Sequence, residues 1–404
     1  MERLWNKNYC KVMTANFTLF FAFYLLTPLL PLYLSEQFGS TKDIIGLVLS
    51  GYTVTALIAR PFSGYIVDSF RRKTVLMVCF GAFSIFFAGY LAASTLLLFA
   101  IVRTLHGAPF GALTVANSTV AIDVLPSSRR TEGIGYYGLS NNLSMAIAPT
   151  IGIWLYQLTN NFMLLFWLAF AIALLGWAVD ATVGIKDREI VLNKQPLSLD
   201  RFFLLRGWLL GVNMVFFGFC FGVLSNYLAI YGKEELGITG GTGTYFMLCA
   251  LGLMLSRLHG GRSLRKGMVT HNANSGVVIS LVGYILFAIL PLFAGSSLSA
   301  VLLPVFYLSA VLIGLGNGHM WPSFQNMTIC VAKNSQRGTA NSTILVSWDV
   351  GMGLGILLGG VIAEHLGYSF TFVVVALANA AGVATYFLYA RSFFLKRNLM
   401  EGVR

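Results

Sequence analysis

The sequence predicts an all-α membrane protein with twelve transmembrane helices in two pseudo-symmetric six-helix bundles. Of the 404 residues, 57% are hydrophobic and only 10% are charged, whereas soluble proteins carry about 25% charged residues. Apolar runs of about 20 residues, the length that spans a bilayer, recur along the chain. Basic residues stand in short clusters between these runs, so the net charge of +12 indicates membrane topology rather than nucleic-acid binding.

Charges, Pro and Gly residues and Ser/Asn clusters divide the chain into twelve spans. The first six are predicted at residues 12–34, 44–67, 74–93, 96–121, 133–156 and 162–183. The second six are predicted at residues 207–231, 242–260, 268–292, 298–327, 338–363 and 367–390. The first run is too long for the apolar core of a signal peptide, so we interpret it as a retained span. The predicted domains are an N-terminal bundle at 1–185, a cytoplasmic linker at 186–206 and a C-terminal bundle at 207–404.

The distribution of basic residues orients these spans. With a cytoplasmic N-terminus, nearly all loop Lys and Arg residues lie on the cytoplasmic side, and the opposite loops receive only Lys42 and Lys233. Arg60 and Arg103 lie inside spans. By the positive-inside rule, this predicts a multi-pass protein of the cell inner membrane with both termini in the cytoplasm. A missed or extra span would place basic residues on both sides of the membrane, so their one-sided distribution also supports the number of spans.

A faint internal repeat relates the two halves of the chain. The pattern Arg-x-x-x-Gly ends the second span at Arg60 to Gly64 and the eighth span at Arg257 to Gly261. Corresponding patterns in two six-span halves predict two similar bundles related by a pseudo-two-fold axis, with a binding site between them.

Small residues recur every four positions on two corresponding spans. They are Ser140, Ser144, Ala148 and Gly152 on the fifth span, and Gly351, Gly355 and Gly359 on the eleventh. Such stripes let helix backbones approach closely, and Pro149 removes one backbone hydrogen bond and allows a bend. Plain tight packing and smooth faces for rocking motions both remain open.

The loop between the second and third spans reads GYIVDSFRRK. It follows the pattern Gly-x-x-x-Asp-Arg-x-Gly-Arg-Arg through Gly64, Asp68, Arg72 and Lys73, with Ser69 and Arg71 at two substituted positions. We interpret its basic residues chiefly as a topological signal. The carboxylate of Asp68, in contrast, is placed to accept hydrogen bonds from the N-terminus of a neighbouring helix.

Two further motifs lie inside spans. The fourth span carries the pattern Arg-x-x-x-Gly at Arg103 and Gly107. The fifth span follows the spacing of an antiporter signature at Gly135, Ser144, Ala148, Pro149 and Gly152. Together with the loop pattern, these motifs resemble those of the major facilitator superfamily, specifically its twelve-span drug:proton antiporter-like branch. The resemblance covers essentially the whole chain.

The resemblance implies the fold of that superfamily and a secondary transporter that works by alternating access. It implies export of a small organic molecule in exchange for protons, by a monomer that needs no cofactor beyond the proton gradient. It also implies that Asp68 clamps the cytoplasmic ends of the bundles in the outward-open state. The conformational gate would then comprise Gly64, Asp68, Arg72, Gly107, Pro149 and Gly152.

Three titratable residues inside spans are candidates for proton coupling. Arg103 lies roughly 12 Å deep at 1.5 Å per residue, where a charge is expensive and needs a wet cavity or a partner. It either binds a substrate anion or relays protons, or it ties helices together through backbone carbonyls. His106 lies three residues further along the same helix. Asp349, near the bilayer midplane of the eleventh span, is either a proton site or an interhelical hydrogen-bond partner.

Amides and aromatic residues on the first, fourth, seventh and tenth spans could line a central substrate cavity, and the named candidates come from the first, seventh and tenth. They are Asn16, Tyr24, Asn213, Phe217, Asn317, Trp321 and Gln325. The 32 Phe and 7 Trp residues favour an amphipathic or apolar substrate over a sugar.

The sequence contains no Walker loop, no paired catalytic carboxylates and no metal-ligand cluster, so we expect neither an enzyme nor a metal site. The expected partners are the lipid bilayer, a small organic substrate and protons, and not nucleic acid. Two other functions remain open. One is proton-coupled import of a small organic acid or nutrient, with Arg103 binding its carboxylate, and the other is a non-transporting membrane sensor or scaffold.

Overall fold

Apolar segments fold as helices in a bilayer because a helix satisfies its own backbone hydrogen bonds where no water is present. The computed structural model describes residues 4–126, 130–185, 203–238, 240–265, 267–295, 299–332 and 336–399. Inside helices, the side chains of residues 61, 64–65, 68–69, 130–132, 134–135, 257–262, 264–265 and 337–338 fall outside this description. The described residues form α-helices and short 3-10 and π segments and contain no β-strand, which confirms the predicted all-α fold class.

Seven helices arise from the first six predicted spans. They are α1 (Lys7–Leu26), α2 (Leu30–Phe38), α3 (Lys42–Ser69), α4 (Arg72–Ala92), α5 (Leu96–Val124), α6 (Arg130–Thr159) and α7 (Phe162–Ala181). The predicted span at 12–34 is therefore two helices. The break follows from the sequence Thr27 to Pro31, because proline suits the first turn of a helix and disrupts its interior.

Six helices make up the second half. They are α8 (Trp208–Glu234), α9 (Thr242–Arg265), α10 (Val269–Ala288), α11 (Ser299–Cys330), α12 (Arg337–Thr385) and α13 (Arg391–Arg397). The long α12 covers the eleventh predicted span and the twelfth as far as Thr385, where a π segment (Tyr386–Ala390) follows. It breaks at Gly367, whose φ is 82°, a conformation that glycine adopts without strain. The carboxylate of Glu235 accepts hydrogen bonds from the backbone N–H of Tyr368 (2.6 Å) and Ser369 (2.7 Å) and so caps the second part of α12.

The helices of the described residues are consistent with the twelve predicted crossings. Nine of the described helical segments are long and apolar enough to cross a membrane by length and composition. The polar residues of α6 keep it out of that set, α9 has a shorter apolar part at Thr242–Ser256, and the set counts α12 once although it breaks at Gly367. Adding these three gives the predicted twelve.

The chain divides into two compact units. The first comprises Met1–Ser40 and Val48–Gln195, and the second comprises Thr41–Leu47 and Pro196–Arg404. In the first unit, α1 packs against α6 and α7, and α4 packs against α5 and α7. In the second unit, α8 packs against α12, and α10 packs against α11 and α12. Corresponding spans thus pair in the same way within each unit, as the internal repeat predicts.

The small-residue stripes lie at two of these helix pairs. On α6, the Ser144 hydroxyl donates to a backbone carbonyl of α1 at 2.7 Å, and a Cβ at Gly152 would collide with another carbonyl of α1. On α12, Gly351 and Gly355 lie in the same way against backbone carbonyls of α8. The stripes therefore bring the first and fifth spans of each half into backbone contact.

Candidate functional site

Arg103 and His106 of α5 meet at one oxygen atom inside the first unit. Arg103 is 5% exposed and His106 is 1% exposed. Arg103 Nη1 donates to the Tyr90 hydroxyl oxygen at 3.1 Å, and His106 Nδ1 lies 2.7 Å from the same oxygen. The spacing of three residues directs both side chains toward α4. With a neutral His106 protonated on Nε2, the hydroxyl can accept from Arg103 and donate to Nδ1. His106 Nε2 then has no hydrogen-bond partner among the described residues.

Aromatic rings enclose this cluster. The Arg103 guanidinium lies 4.1 Å from the centroid of the Tyr52 ring in α3, a cation–π contact. The His106 ring stacks on Phe86 with centroids 5.3 Å apart and an interplanar angle of 15°, and it packs against Phe83 at 4.8 Å. The cluster is therefore a cation and an imidazole held in an apolar, ring-lined site.

A glycine makes this arrangement fit. A Cβ at Gly107 would overlap the backbone carbonyl oxygen of Tyr52. The absence of a side chain at Gly107 therefore lets α5 and α3 approach until the Tyr52 ring lies over Arg103. Gly107, the second residue of the Arg-x-x-x-Gly pattern, thus allows the contact between Tyr52 and Arg103, the first residue of the pattern.

Most N–H donors of the Arg103 guanidinium have no acceptor among the described residues. In the part of the first unit that the structure describes, its partners are the Tyr90 hydroxyl and the rings of Tyr52 and Phe23, and its Nε has no hydrogen-bond partner. A guanidinium carries five N–H donors, and a buried charge without a counter-charge is costly. The site is therefore chemically suited to an anionic group.

Asn16 of α1 belongs to a second polar cluster in the same unit. It is fully buried, its Nδ2 donates to Ser140 Oγ at 2.7 Å, and its Oδ1 accepts from Asn117 Nδ2 at 3.4 Å. This cluster joins α1, α5 and α6. Tyr24 lies two turns along α1, half-buried, with its ring stacked on Phe20 at 6.1 Å.

Two cavity candidates of the second unit are buried in helix packing. Asn213 Nδ2 donates to the Gly382 carbonyl at 2.9 Å and so joins α8 to α12. Phe217 is 2% exposed and packs edge-on against Phe324 at 5.8 Å.

The remaining candidates share a half-buried face of α11. Asn317, Trp321 and Gln325 follow at intervals of four residues, which places them on one side of the helix. Trp321 packs edge-on against Trp348 of α12 with centroids 5.0 Å apart. Asp349, also half-buried, follows Trp348 directly in α12. The structure thus brings the tenth-span candidates beside the helix that carries the predicted proton site.

The basic residues of the loop pattern have partners. Arg72 Nη1 lies 2.5 Å from both carboxylate oxygens of Asp123 at the end of α5. Lys73 Nζ donates to backbone carbonyls at the end of α7. These residues therefore tie helix ends together, besides any topological role. Of the other predicted gate residues, Gly64 and Asp68 lie outside the described side chains, and Pro149 is buried inside α6.

Sequence reasoning missed Tyr90, Tyr52 and Asp123, which come from other helices than the residues they contact. No local pattern reveals such pairings, because they depend on how each helix is rotated. It also missed Asp180, for which a signal exists: it is the single ionisable side chain in FMLLFWLAFAIALLGWAVDA.

Known proteins resemble this chain along most of its length. The family model described as Major Facilitator Superfamily matches residues 12–281 and 271–401. The staphylopine export protein of Staphylococcus aureus is 22% identical over 351 residues, which cover 84% of this chain and 85% of that protein. Quinolone resistance protein NorA of Staphylococcus aureus is 22% identical over 167 residues, which cover 41% of this chain and 42% of NorA.

Solved structures share the fold. A variant of the peptide transporter POT superposes with a TM-score of 0.80 at 13% identity, over 97% of this chain and 96% of that one. A variant of the nucleoside transporter NupG superposes with a TM-score of 0.76 at 13% identity, over 95% of this chain and 100% of that one. At such identities the likeness concerns architecture alone.

Proposed function

Because the chain belongs to the Major Facilitator Superfamily, whose members are secondary transporters and not enzymes, we propose that it exports a small organic molecule in exchange for protons by alternating access. The names of two similar proteins, an export protein and a resistance protein, support the outward direction. Family membership also favours transport over the non-transporting sensor. In this proposal the chain acts as a monomer in the inner membrane with both termini in the cytoplasm.

The observation that carries the proposal is the Arg103 cluster. A guanidinium that is 5% exposed inside a span carries a high desolvation free energy, so such a residue indicates a functional site. Its remaining N–H donors match a carboxylate or another anionic group, for which arginine offers a planar, bidentate fork. The rings of Tyr52 and Phe23 beside the guanidinium suit an apolar body. We infer a substrate that combines an acidic group with an apolar part.

Proton coupling is assigned to Asp349 in this proposal. It is a half-buried carboxylic acid in α12, beside the α11 face that carries Trp321. A carboxyl group in a partly apolar site exchanges its proton in response to nearby charge. His106, which shares the Tyr90 hydroxyl with the Arg103 cation, is the other titratable candidate and lies in the first unit.

The direction of transport is tested in intact cells that lack their own efflux pumps. Cells that express the protein should accumulate less of a quinolone or of staphylopine than cells that express Arg103→Met, and an uncoupler that collapses the proton gradient should abolish the difference. Tyr284→Phe in the second unit is the matched control, because its hydroxyl has no hydrogen-bond partner among the described residues. Equal accumulation in all strains for a broad panel of organic acids and drugs would contradict the proposal.

Import is the second candidate function, and the same arginine favours it. A buried guanidinium that lacks a carboxylate partner in the described part of its unit serves uptake of an organic acid equally well. Import predicts the opposite sign in the same assay: the wild type accumulates more substrate than Arg103→Met. Direction is therefore decided by the sign of one measurement.

A further inference from the structure

Asp180 is a buried carboxyl group that the proposed transport site does not use. It lies one residue before the end of α7, and its exposed fraction is 0%. Neither carboxyl oxygen has a hydrogen-bond partner among the residues that the structure describes. An ionised carboxylate without donors in an apolar site is costly, so such a group needs either a proton or a cation.

Lys73 of α4 is the nearby cation, but its donors are occupied. Its Nζ donates to the backbone carbonyl oxygens of Asp180, Ala181 and Val183, the last two at 2.9 and 2.8 Å. An ammonium group has three N–H donors, and these carbonyls use all of them. Lys73 therefore caps the C-terminus of α7, where the helix dipole favours a positive charge, and gives no hydrogen bond to the carboxyl group of Asp180.

The other helices around Asp180 add one cation and two phenols. Tyr137 of α6 lies close enough to interact with the charge of Asp180, and Tyr9 of α1 lies close enough to interact with Tyr137. The Tyr9 hydroxyl donates to the Gly133 carbonyl at 2.5 Å. Lys11 of α1 donates to the Thr182 carbonyl at 2.8 Å, so it too is engaged with the backbone after α7.

We propose that Asp180 is a proton-binding site and that its proton decides whether Lys73 holds the end of α7. With the proton on a carboxyl oxygen, the neutral acid needs no cation, and Lys73 stays on the three carbonyls. When the proton leaves to water, the carboxylate attracts Lys73, which gives up at least one carbonyl to form the ion pair. The backbone at residues 181–184 then loses part of its anchoring.

All groups of this site belong to the first unit, and the proposal uses neither Asp349 nor a direction of transport. Its consequence is local: the segment that leaves α7 is held in a proton-dependent way. Asn8 holds the end of this segment independently of pH. Its side chain exchanges two hydrogen bonds with the Gly184 backbone, at 2.9 and 3.1 Å, and involves no titratable group.

The protonation itself is measured by infrared spectroscopy on the purified protein, without any transport assay. At neutral pH the wild type should show a carboxylic-acid C=O stretching band that Asp180→Asn lacks, and the band should disappear at alkaline pH. Asp123→Asn is the matched control, because that carboxylate is already paired with Arg72, and the band should persist in it. If wild type and Asp180→Asn show the same absorption in the carboxylic-acid C=O region at every pH, the proposal is overturned.

The mechanical consequence is measured by amide hydrogen exchange of residues 176–185 at neutral and alkaline pH, corrected for intrinsic exchange. Raising the pH should speed exchange in the wild type by roughly fivefold, the factor for one hydrogen bond of about 1 kcal/mol. Asp180→Asn, which mimics the protonated acid, should stay protected at both pH values, and Lys73→Gln should exchange fast at both. If Asp180→Asn responds to pH as the wild type does, the coupling to Lys73 is disproved.

Discussion

At the scale of residues, a single hydroxyl group organises the predicted site. The Tyr90 oxygen contacts both Arg103 and His106, so it holds a cation and an imidazole in one place. Tyr52 holds the guanidinium from another side through its ring. Because these contacts come from three helices, the orientation of Arg103 depends on the packing of α3, α4 and α5.

Removal of that hydroxyl tests the cluster directly. Tyr90→Phe keeps the ring but takes from Arg103 the hydrogen bond that holds its Nη1. We expect transport of an acidic substrate to fall about tenfold, the factor that corresponds to about 1.4 kcal/mol. Tyr284→Phe removes a buried hydroxyl that has no partner among the described residues and should leave transport unchanged. Equal transport rates for Tyr90→Phe and Tyr284→Phe would contradict the role of Tyr90.

At the scale of elements, glycines set the distances between helices. The pairs α3 with α5, α1 with α6 and α8 with α12 all meet where a Cβ would strike a backbone carbonyl. Backbone contact of this kind replaces the hydrophobic driving force that helices lack in lipid. A carbonyl has no rotamer with which to move away, so these contacts are sensitive to added atoms.

Gly107 and Gly138 form a matched pair for testing this sensitivity. A Cβ at Gly107 meets the Tyr52 carbonyl, whereas a Cβ at Gly138 in α6 meets nothing within 4 Å. Gly107→Ala should destabilise the protein by about 1–3 kcal/mol through overpacking. Gly138→Ala should be neutral or stabilising by up to about 1 kcal/mol, as expected for alanine in a helix. Thermal unfolding in detergent measures both, and equal melting temperatures would count against the contact.

Two neighbouring acids at the end of α8 allow a second matched test. Glu235 caps the second part of α12 through two backbone N–H groups and the Ser369 hydroxyl, whereas Glu234 lies 3.5 Å from the partly exposed Lys42. Glu235→Ala should cost about 1–2 kcal/mol of unfolding free energy, as the loss of a helix cap does. Glu234→Ala should cost at most about 1 kcal/mol, because partly exposed ion pairs contribute little. The reverse order in a denaturation experiment would refute the assignment of the cap.

At the scale of the whole molecule, the bilayer explains what the sequence predicts well. Length and hydrophobicity of spans are imposed by the membrane, so the fold class and most helix positions can be read from the sequence. The break between α1 and α2 has a signal in Pro28 and Pro31, but a run of apolar residues hides it. The interhelical contacts have no such signal, because the facing of Tyr90 or Lys73 depends on helix rotation and tilt.

The orientation of the whole chain is a separate prediction. In a cysteine-free background, a single cysteine introduced by Lys233→Cys should react in intact cells with a maleimide that does not cross the membrane. A cysteine introduced by Arg71→Cys should react only after the membrane is permeabilised. Both positions are exposed, so accessibility to the reagent is controlled by the side of the membrane. The reversed labelling pattern would place the termini outside the cytoplasm.

The central claim is that substrate and protons move in opposite directions through one chain. It is tested most directly in proteoliposomes, where an imposed pH gradient drives a labelled organic acid with an apolar body and an internal dye reports proton movement. The wild type should move protons only when substrate is present. Asp349→Asn should lose the gradient-driven transport but keep the exchange of labelled for unlabelled substrate. Gradient-driven transport that persists in Asp349→Asn, or substrate movement without any proton movement in the wild type, would contradict the account.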